Sequence, residues 1–115
     1  MFDFQQLDIY QKAKVFNKTI KDIVIEPARL DKTGRDQLRR ASMSIVLNIA
    51  EGSSRFSKAD RRNFFVIARG SVFECVAILD ILSDEGIVTK AIYERLYELA
   101  EELSKMLFSM IRNLE

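Results

Sequence analysis

Apolar residues recur at intervals of three and four along nearly the whole chain, which is the spacing of one face of an α-helix. Four such stripes are separated by short breaks, and they predict four amphipathic helices. The stripes are Ile9, Ala13, Phe16, Ile20 and Ile23; Leu38, Ala41, Ile45, Ile49 and Gly52; Phe64, Ala68, Val72, Cys75, Leu79 and Leu82; and Ile92, Leu96, Leu99, Leu103, Met106 and Met110.

The breaks between the stripes carry residues that end or begin helices. Pro27 ends the first helix, and Gly86 suits the left-handed residue that ends the third. Thr33, Ser57 and Thr89 are expected to cap the second, third and fourth helices. Because the connections are short, consecutive helices are expected to run antiparallel. The pattern predicts an all-α, up-down-up-down four-helix bundle.

Two predicted helices have apolar positions away from their main stripe. A surface helix should be polar there, so these positions predict a subunit interface of a ring-like homo-oligomer. Scattered surface hydrophobes, which are common in monomers, are the alternative. The interface residues are Met43, Val46 and Leu47 on the second helix, Val66 and Phe73 on one flank of the third, and Ile67, Ile78 and Ile81 on its other flank.

One acidic and several small residues also lie in these two helices. Glu74 falls within the Ile67, Ile78 and Ile81 flank, so we expect a buried ion pair with Arg39 or Arg40 of the neighbouring helix. Gly52 and Gly70 each weaken a helix, which suggests close backbone approach between helices, with a ligand pocket as the alternative.

Composition restricts the chemistry of the chain. Its 115 residues fit a single domain over residues 1–115. The absence of histidine and the presence of one cysteine remove the commonest general base and the usual zinc ligands. We therefore expect no enzyme activity, no metal and no cofactor. With no signal-peptide pattern, no membrane-spanning run and a single cysteine, a cytoplasmic location without membrane contact is expected.

The formal net charge of +1 conceals a strong segregation along the sequence. Residues 29–73 carry ten basic and four acidic side chains, whereas residues 74–115 carry four basic and nine acidic ones. Such a basic segment favours contact with RNA or DNA phosphates, and a solvated surface balanced by the acidic fourth helix is the alternative. The densest basic group is Arg55, Lys58, Arg61 and Arg62, and a smaller group at the opposite bundle end is Arg29, Lys32 and Arg35.

The block from residue 36 to residue 74 resembles a known family. It contains QLRRA at Gln37–Ala41, NIAEG at Asn48–Gly52 and IARGS at Ile67–Ser71, followed by Glu74. These motifs resemble the four helix bundle proteins encoded by intervening sequences within bacterial 23S ribosomal RNA genes. Many relatives have a proline where this chain has Val46, which predicts a straighter second helix here.

The resemblance implies a non-catalytic bundle that assembles as a ring, expected to be a pentamer. The family is also similar to accessory proteins of diversity-generating retroelements, which bind nucleic acid and a reverse transcriptase. The sequence thus supports two hypotheses. The first is a homo-oligomer that binds RNA or DNA electrostatically through its basic residues, and the second is a protein–protein scaffold or adaptor without a direct nucleic-acid role.

Overall fold

The computed structural model describes residues 2–27 and 30–115, so Arg29 of the smaller basic group lies outside the described residues. The described ranges contain four long helices and no strand. The four helices are α1 (Asp8–Ile20), α2 (Lys32–Ser54), α3 (Lys58–Asp84) and α4 (Lys90–Arg112); a 3-10 turn at Asp3–Gln6 precedes α1, and a π-helical turn at Lys21–Ile25 continues it.

The helices pack in a closed cycle, with α1 and α3 each contacting both α2 and α4. The helices α3 and α4 run antiparallel, because residues earlier in α3 contact residues later in the sequence of α4 and beyond its end. Arg69 Nε donates a hydrogen bond to the Ser104 carbonyl, whereas Arg62, earlier on α3, contacts Glu115, beyond the end of α4. The predicted all-α architecture of four packed helices is confirmed, and α3 and α4 run antiparallel.

Polar caps begin three of the helices, and one of them differs from the prediction. Ser57 and Thr89 accept hydrogen bonds from the backbone N–H three residues later, as predicted for α3 and α4. The cap of α2 is Asp31, whose carboxylate accepts from Gly34 N at 2.7 Å, so the expectation of Thr33 is wrong. A carboxylate at this position also interacts favourably with the positive end of the helix dipole.

Gly86 ends α3 as the sequence predicted. Its φ angle is 74°, in the left-handed region where a glycine carries no Cβ penalty. Its N–H donates to the Ser83 carbonyl, and the N–H of Ile87 donates to the Leu82 carbonyl. This pair of bonds is a Schellman motif, which satisfies the last carbonyls of α3 and turns the chain toward α4.

The core follows the predicted stripes, with local exceptions. All five positions of the α2 stripe are buried. In the first segment Val24 is buried and Ile23 lies at the edge, because a π-helical turn keeps residues four apart on one face. In α3, Phe65 is buried and Phe64 is half-buried beneath the Arg55 guanidinium, so the choice of Phe64 as the core residue was wrong.

The stripe of α4 is rotated relative to the prediction. Leu96 and Leu103 are buried as expected. Three further residues, Ala100, Leu107 and Ile111, complete the buried face. The other predicted positions are only partly buried and border the core rather than fill it; they are Ile92, Leu99, Met106 and Met110.

Candidate nucleic-acid interface

Four basic residues surround the connection between α2 and α3, and we call them the basic turn: Arg55, Lys58, Arg61 and Arg62. The connection consists of residues 55–57, so α2 and α3 form a tight hairpin. Arg61 Nε donates to the Arg55 carbonyl at 2.7 Å, which holds the two sides of the turn together. Lys58 is the first residue of α3 and is exposed. The hairpin therefore brings all four cations to one end of the bundle.

Carboxylates form ion pairs with only two of the four cations of the basic turn. Arg55 contacts Glu51 and Arg62 contacts Glu115, at N–O distances of 3.8 and 3.7 Å. Both pairs involve substantially exposed side chains, where an ion pair contributes little stability. Within the described ranges, Lys58 and Arg61 have no ion pair. Two cations of the basic turn are thus available to an external anion.

The smaller basic group is separate, and only one of its two described members has an ion pair. Its described members, Lys32 and Arg35, are exposed at the start of α2, and Lys32 pairs with Asp36 at 3.0 Å. At a rise of 1.5 Å per residue, Arg35 lies about 30 Å along α2 from Arg55. The two groups therefore occupy opposite ends of the bundle, as the antiparallel arrangement predicted.

A second cationic feature lies between α3 and α4, where Arg69 stacks on two aromatic rings. Its guanidinium carbon lies 4.8 Å from the ring centre of Phe73 and 5.4 Å from that of Phe108. Arg112 lies over the same Phe108 ring at 5.7 Å. The Arg69 Nε bond to the Ser104 carbonyl ties this stack to α4.

This stack borders an open groove, which we call the arginine–phenylalanine groove. Its volume is about 370 Å³. Arg62 belongs to both the groove and the basic turn, so the two cationic surfaces are continuous. The groove is lined by Arg62, Val66, Arg69, Gly70, Phe73, Phe108, Ile111, Arg112 and Glu115.

Phe108 and Arg112 lie outside every site that the sequence pattern predicts. Phe108 lies off the apolar stripe of α4, and Arg112 follows it by one helical turn. An aromatic residue and a cation four positions apart share one face of a helix. This spacing was the feature of the sequence that could have indicated the site. It was obscured because residues 74–115 are acidic overall.

Six of the eight predicted interface residues lie on two surfaces, and the other two are partly buried. Met43, Leu47, Ile67 and Ile81 lie on the outward sides of α2 and α3, with exposed fractions between 38% and 58%, and we call them the α2–α3 face. Val66 and Phe73 instead line the arginine–phenylalanine groove. The remaining two, Val46 and Ile78, are partly buried against the core. The subunit interface itself stays a prediction.

The expected buried ion pair of Glu74 does not form within the chain. Glu74 is exposed, and the described residues offer it no ion pair. Arg39 turns toward α1, where its Nη1 and the Ser42 hydroxyl both donate to Asn17 Oδ1 at 3.3 and 2.9 Å. Arg40 is exposed on α2. The outward side of α3 keeps the Glu74 carboxylate in water in the single chain, so the ion pair stays a prediction that depends on burial of this flank in an oligomer.

Metal-binding clusters, reactive thiols and membrane-spanning helices are each absent from the part of the chain that the structure describes. The described ranges contain no cluster of three or more acidic, cysteine or histidine side chains that could hold a metal ion. The Cys75 thiol is buried, and burial together with the Glu74 charge raises its pKa to about 12. This thiol therefore stays protonated and unreactive near neutral pH. No helix within these ranges has the length and apolar character to span a membrane.

Comparisons with known proteins identify the family. A search of curated proteins gives no match. The chain is similar to the crystal structure of a protein of unknown function from the S23 ribosomal protein family of Bacteroides thetaiotaomicron, with a TM-score of 0.77 and 24% identity over 90% of this chain and 97% of the other. At this identity the likeness supports the fold. The family model for the 23S rRNA-intervening sequence protein matches residues 5–109, and the chain therefore belongs to that family.

Proposed function

We propose that the protein is a non-catalytic homo-oligomer that binds RNA or DNA through the phosphate backbone. The observation that carries the proposal is the basic turn, where four cations meet and Lys58 and Arg61 have no carboxylate partner among the described residues. Binding of phosphates by such cations releases condensed counterions, which makes the interaction strong at low salt and weak at high salt.

Self-association would multiply this charge. The α2–α3 face presents four large apolar side chains to solvent, and such patches commonly mark contacts between proteins. A closed ring repeats every surface by rotation about one axis. One copy of the basic turn per subunit would then lie along one rim, and a nucleic-acid strand could contact several subunits.

A salt titration tests the proposal. The assay is fluorescence anisotropy of a labelled oligonucleotide, followed between about 50 and 200 mM salt. The variant Lys58→Gln/Arg61→Gln should lower the affinity and reduce the slope of log K against log salt by about two, since each lost phosphate contact removes about one. The matched control, Lys90→Gln/Lys105→Gln on α4, removes the same charge elsewhere and should behave like the wild type.

Two results would contradict the proposal. One is the absence of oligonucleotide binding by the wild type at low salt. The other is an equal loss of affinity in both double variants, because net charge alone would then account for binding. Circular dichroism of each variant should show the helical content of the wild type, which excludes unfolding as the cause of a lost affinity.

The exposed α2–α3 face also favours a second candidate function, a scaffold that recruits a protein partner. The two candidates differ in their response to Leu47→Asp, which places a charge on this face. A scaffold would lose its protein partner in this variant and would bind no oligonucleotide in any form. A nucleic-acid-binding ring would dissociate into subunits whose affinity for the oligonucleotide is reduced.

A further inference from the structure

Gly70 lies in the interior of α3, and no contact within the described chain explains why a glycine occupies this position. A Cβ built on Gly70 meets no atom within 4 Å. At Gly52, by contrast, it would lie 2.8 Å from Phe65 Cε1 and 2.9 Å from Phe64 Cβ. The expected close approach of helices is therefore confirmed at Gly52 and wrong at Gly70. A glycine that weakens a helix without a packing partner points to a surface that must stay clear.

That clear surface is the floor of the arginine–phenylalanine groove. Phe73 and Phe108 flank it with exposed fractions of 56% and 47%, and Arg69 lies over both rings. The guanidinium is attracted to both ring faces by cation–π interaction, which favours this arrangement of the three side chains. The groove thus combines an open floor with two partly exposed aromatic rings that share one arginine.

The charge of the groove defines what it can bind. Arg62, Arg69 and Arg112 line it. Glu115, the single carboxylate among its lining residues, pairs with Arg62 and Arg112 at 3.7 and 3.5 Å, and such exposed pairs contribute little stability. Guanidinium groups bind phosphate in a bidentate manner, and exposed aromatic rings stack on nucleobases. The volume of about 370 Å³ lies near the lower end of small-ligand sites. In a duplex the faces of the bases are covered by stacking, so the groove suits an unpaired base.

We propose that the arginine–phenylalanine groove binds an unpaired nucleotide of single-stranded nucleic acid. The base stacks on Phe73 or Phe108, and Arg62 and Arg112 contact the adjoining phosphates. This inference rests on the proposed function and deepens it, because Arg62 connects the groove with the basic turn. The basic turn supplies affinity for any polyanion, whereas the groove supplies preference for single strands over duplexes.

The experiment compares three labelled probes of about 16 nucleotides per strand: oligouridine RNA, oligothymidine DNA and a DNA duplex. Phe73→Leu/Phe108→Leu removes the aromatic faces and retains apolar bulk. We expect about a tenfold loss of affinity for both single strands and no change for the duplex. The matched control is Tyr97→Leu, because Tyr97 is a ring on α4 with 45% exposure that lies outside both the groove and the basic turn.

A second variant tests the floor without changing charge or aromatic content. Gly70→Leu should obstruct the groove and weaken single-strand binding about tenfold. Gly70→Ala adds one methyl group in open space. It should reduce single-strand affinity less than Gly70→Leu does and leave the duplex affinity unchanged. Both variants should keep the helical content of the wild type. Light scattering on each protein reports its oligomeric state.

The outcomes separate the inference from the proposed function. If the wild type binds none of the probes, the proposed function fails and the groove has no role in it. If the wild type binds all three probes and the double phenylalanine variant keeps its single-strand affinity, the inference alone is overturned. Dissociation of the oligomer in Gly70→Leu or Phe73→Leu/Phe108→Leu would also overturn it, since the groove would then be a contact with a second copy.

Discussion

Substitution of alanine for two glycines in the same pair of helices should change stability in opposite directions. Gly70 lies in the interior of α3 with open space around its missing Cβ. Alanine there gains helix propensity of about 0.5–1 kcal/mol because it restricts the unfolded chain and meets nothing in the folded one. For a domain of this size, that gain corresponds to an increase in Tm of about 4 °C.

Gly52→Ala should destabilise the bundle despite the same gain in propensity. The new Cβ would lie 2.9 Å from Phe64 Cβ, which is fixed to the α3 backbone and cannot rotate away. Ordinary carbon–carbon contacts are about 3.5–4.0 Å, so α2 and α3 must separate. Overpacking of this kind costs about 1–3 kcal/mol. After the propensity gain, the free energy of unfolding should fall by about 1–2 kcal/mol.

Urea and thermal unfolding of both variants, followed by circular dichroism at one fixed protein concentration, measure this difference. A fixed concentration is needed because association makes Tm concentration-dependent. The two variants should differ by about 2 kcal/mol. A destabilised Gly70→Ala would refute the reasoning, because it would mean that another surface packs against Gly70. A stabilised Gly52→Ala would refute the close contact of α2 with α3.

Three further predictions concern charge, capping and the thiol. Lys58→Glu should raise Tm slightly, because an anion suits the N-terminus of α3, while it weakens oligonucleotide binding in the anisotropy assay. Asp31→Ala should lower the free energy of unfolding by about 1 kcal/mol in urea titrations, whereas Thr33→Ala should leave it nearly unchanged. Cys75, with a pKa of about 12, has a thiolate fraction of only about one in ten thousand at pH 8. Alkylation followed by mass spectrometry should therefore label it only when urea unfolds the chain, and rapid labelling of the native protein would contradict its burial.

Hydrophobic periodicity was sufficient to predict the architecture because four amphipathic helices with short connections have few ways to bury their stripes. The periodicity predicted less reliably which single residues face the core. Phe64 and Phe65 are adjacent and equally apolar, so the stripe alone could not decide which ring faces the core. The rotation of the α4 stripe has the same origin, because apolar residues extend to both sides of Leu103.

The functional surface was harder to predict because it combines residues far apart in the sequence. The basic turn is local, and its position could be inferred from the connection between two helices. The groove is not local, because Arg69 and Phe73 come from α3 whereas Phe108 and Arg112 come from α4. Which side chains meet across two helices depends on their rotation and axial position, and composition averages do not contain that information.

The π-helical turn at Lys21–Ile25 has a consequence for how the family can vary in length. A π-helical turn holds one more residue than the corresponding α-helical turn, as in the bond from Glu26 N–H to the Lys21 carbonyl. An insertion of one residue in an α-helix can produce such a turn without displacing the rest of the chain. Relatives one residue shorter in this stretch could therefore form a regular helix and keep the same core. Gaps in alignments of this family should accumulate here, at the end of the first helix.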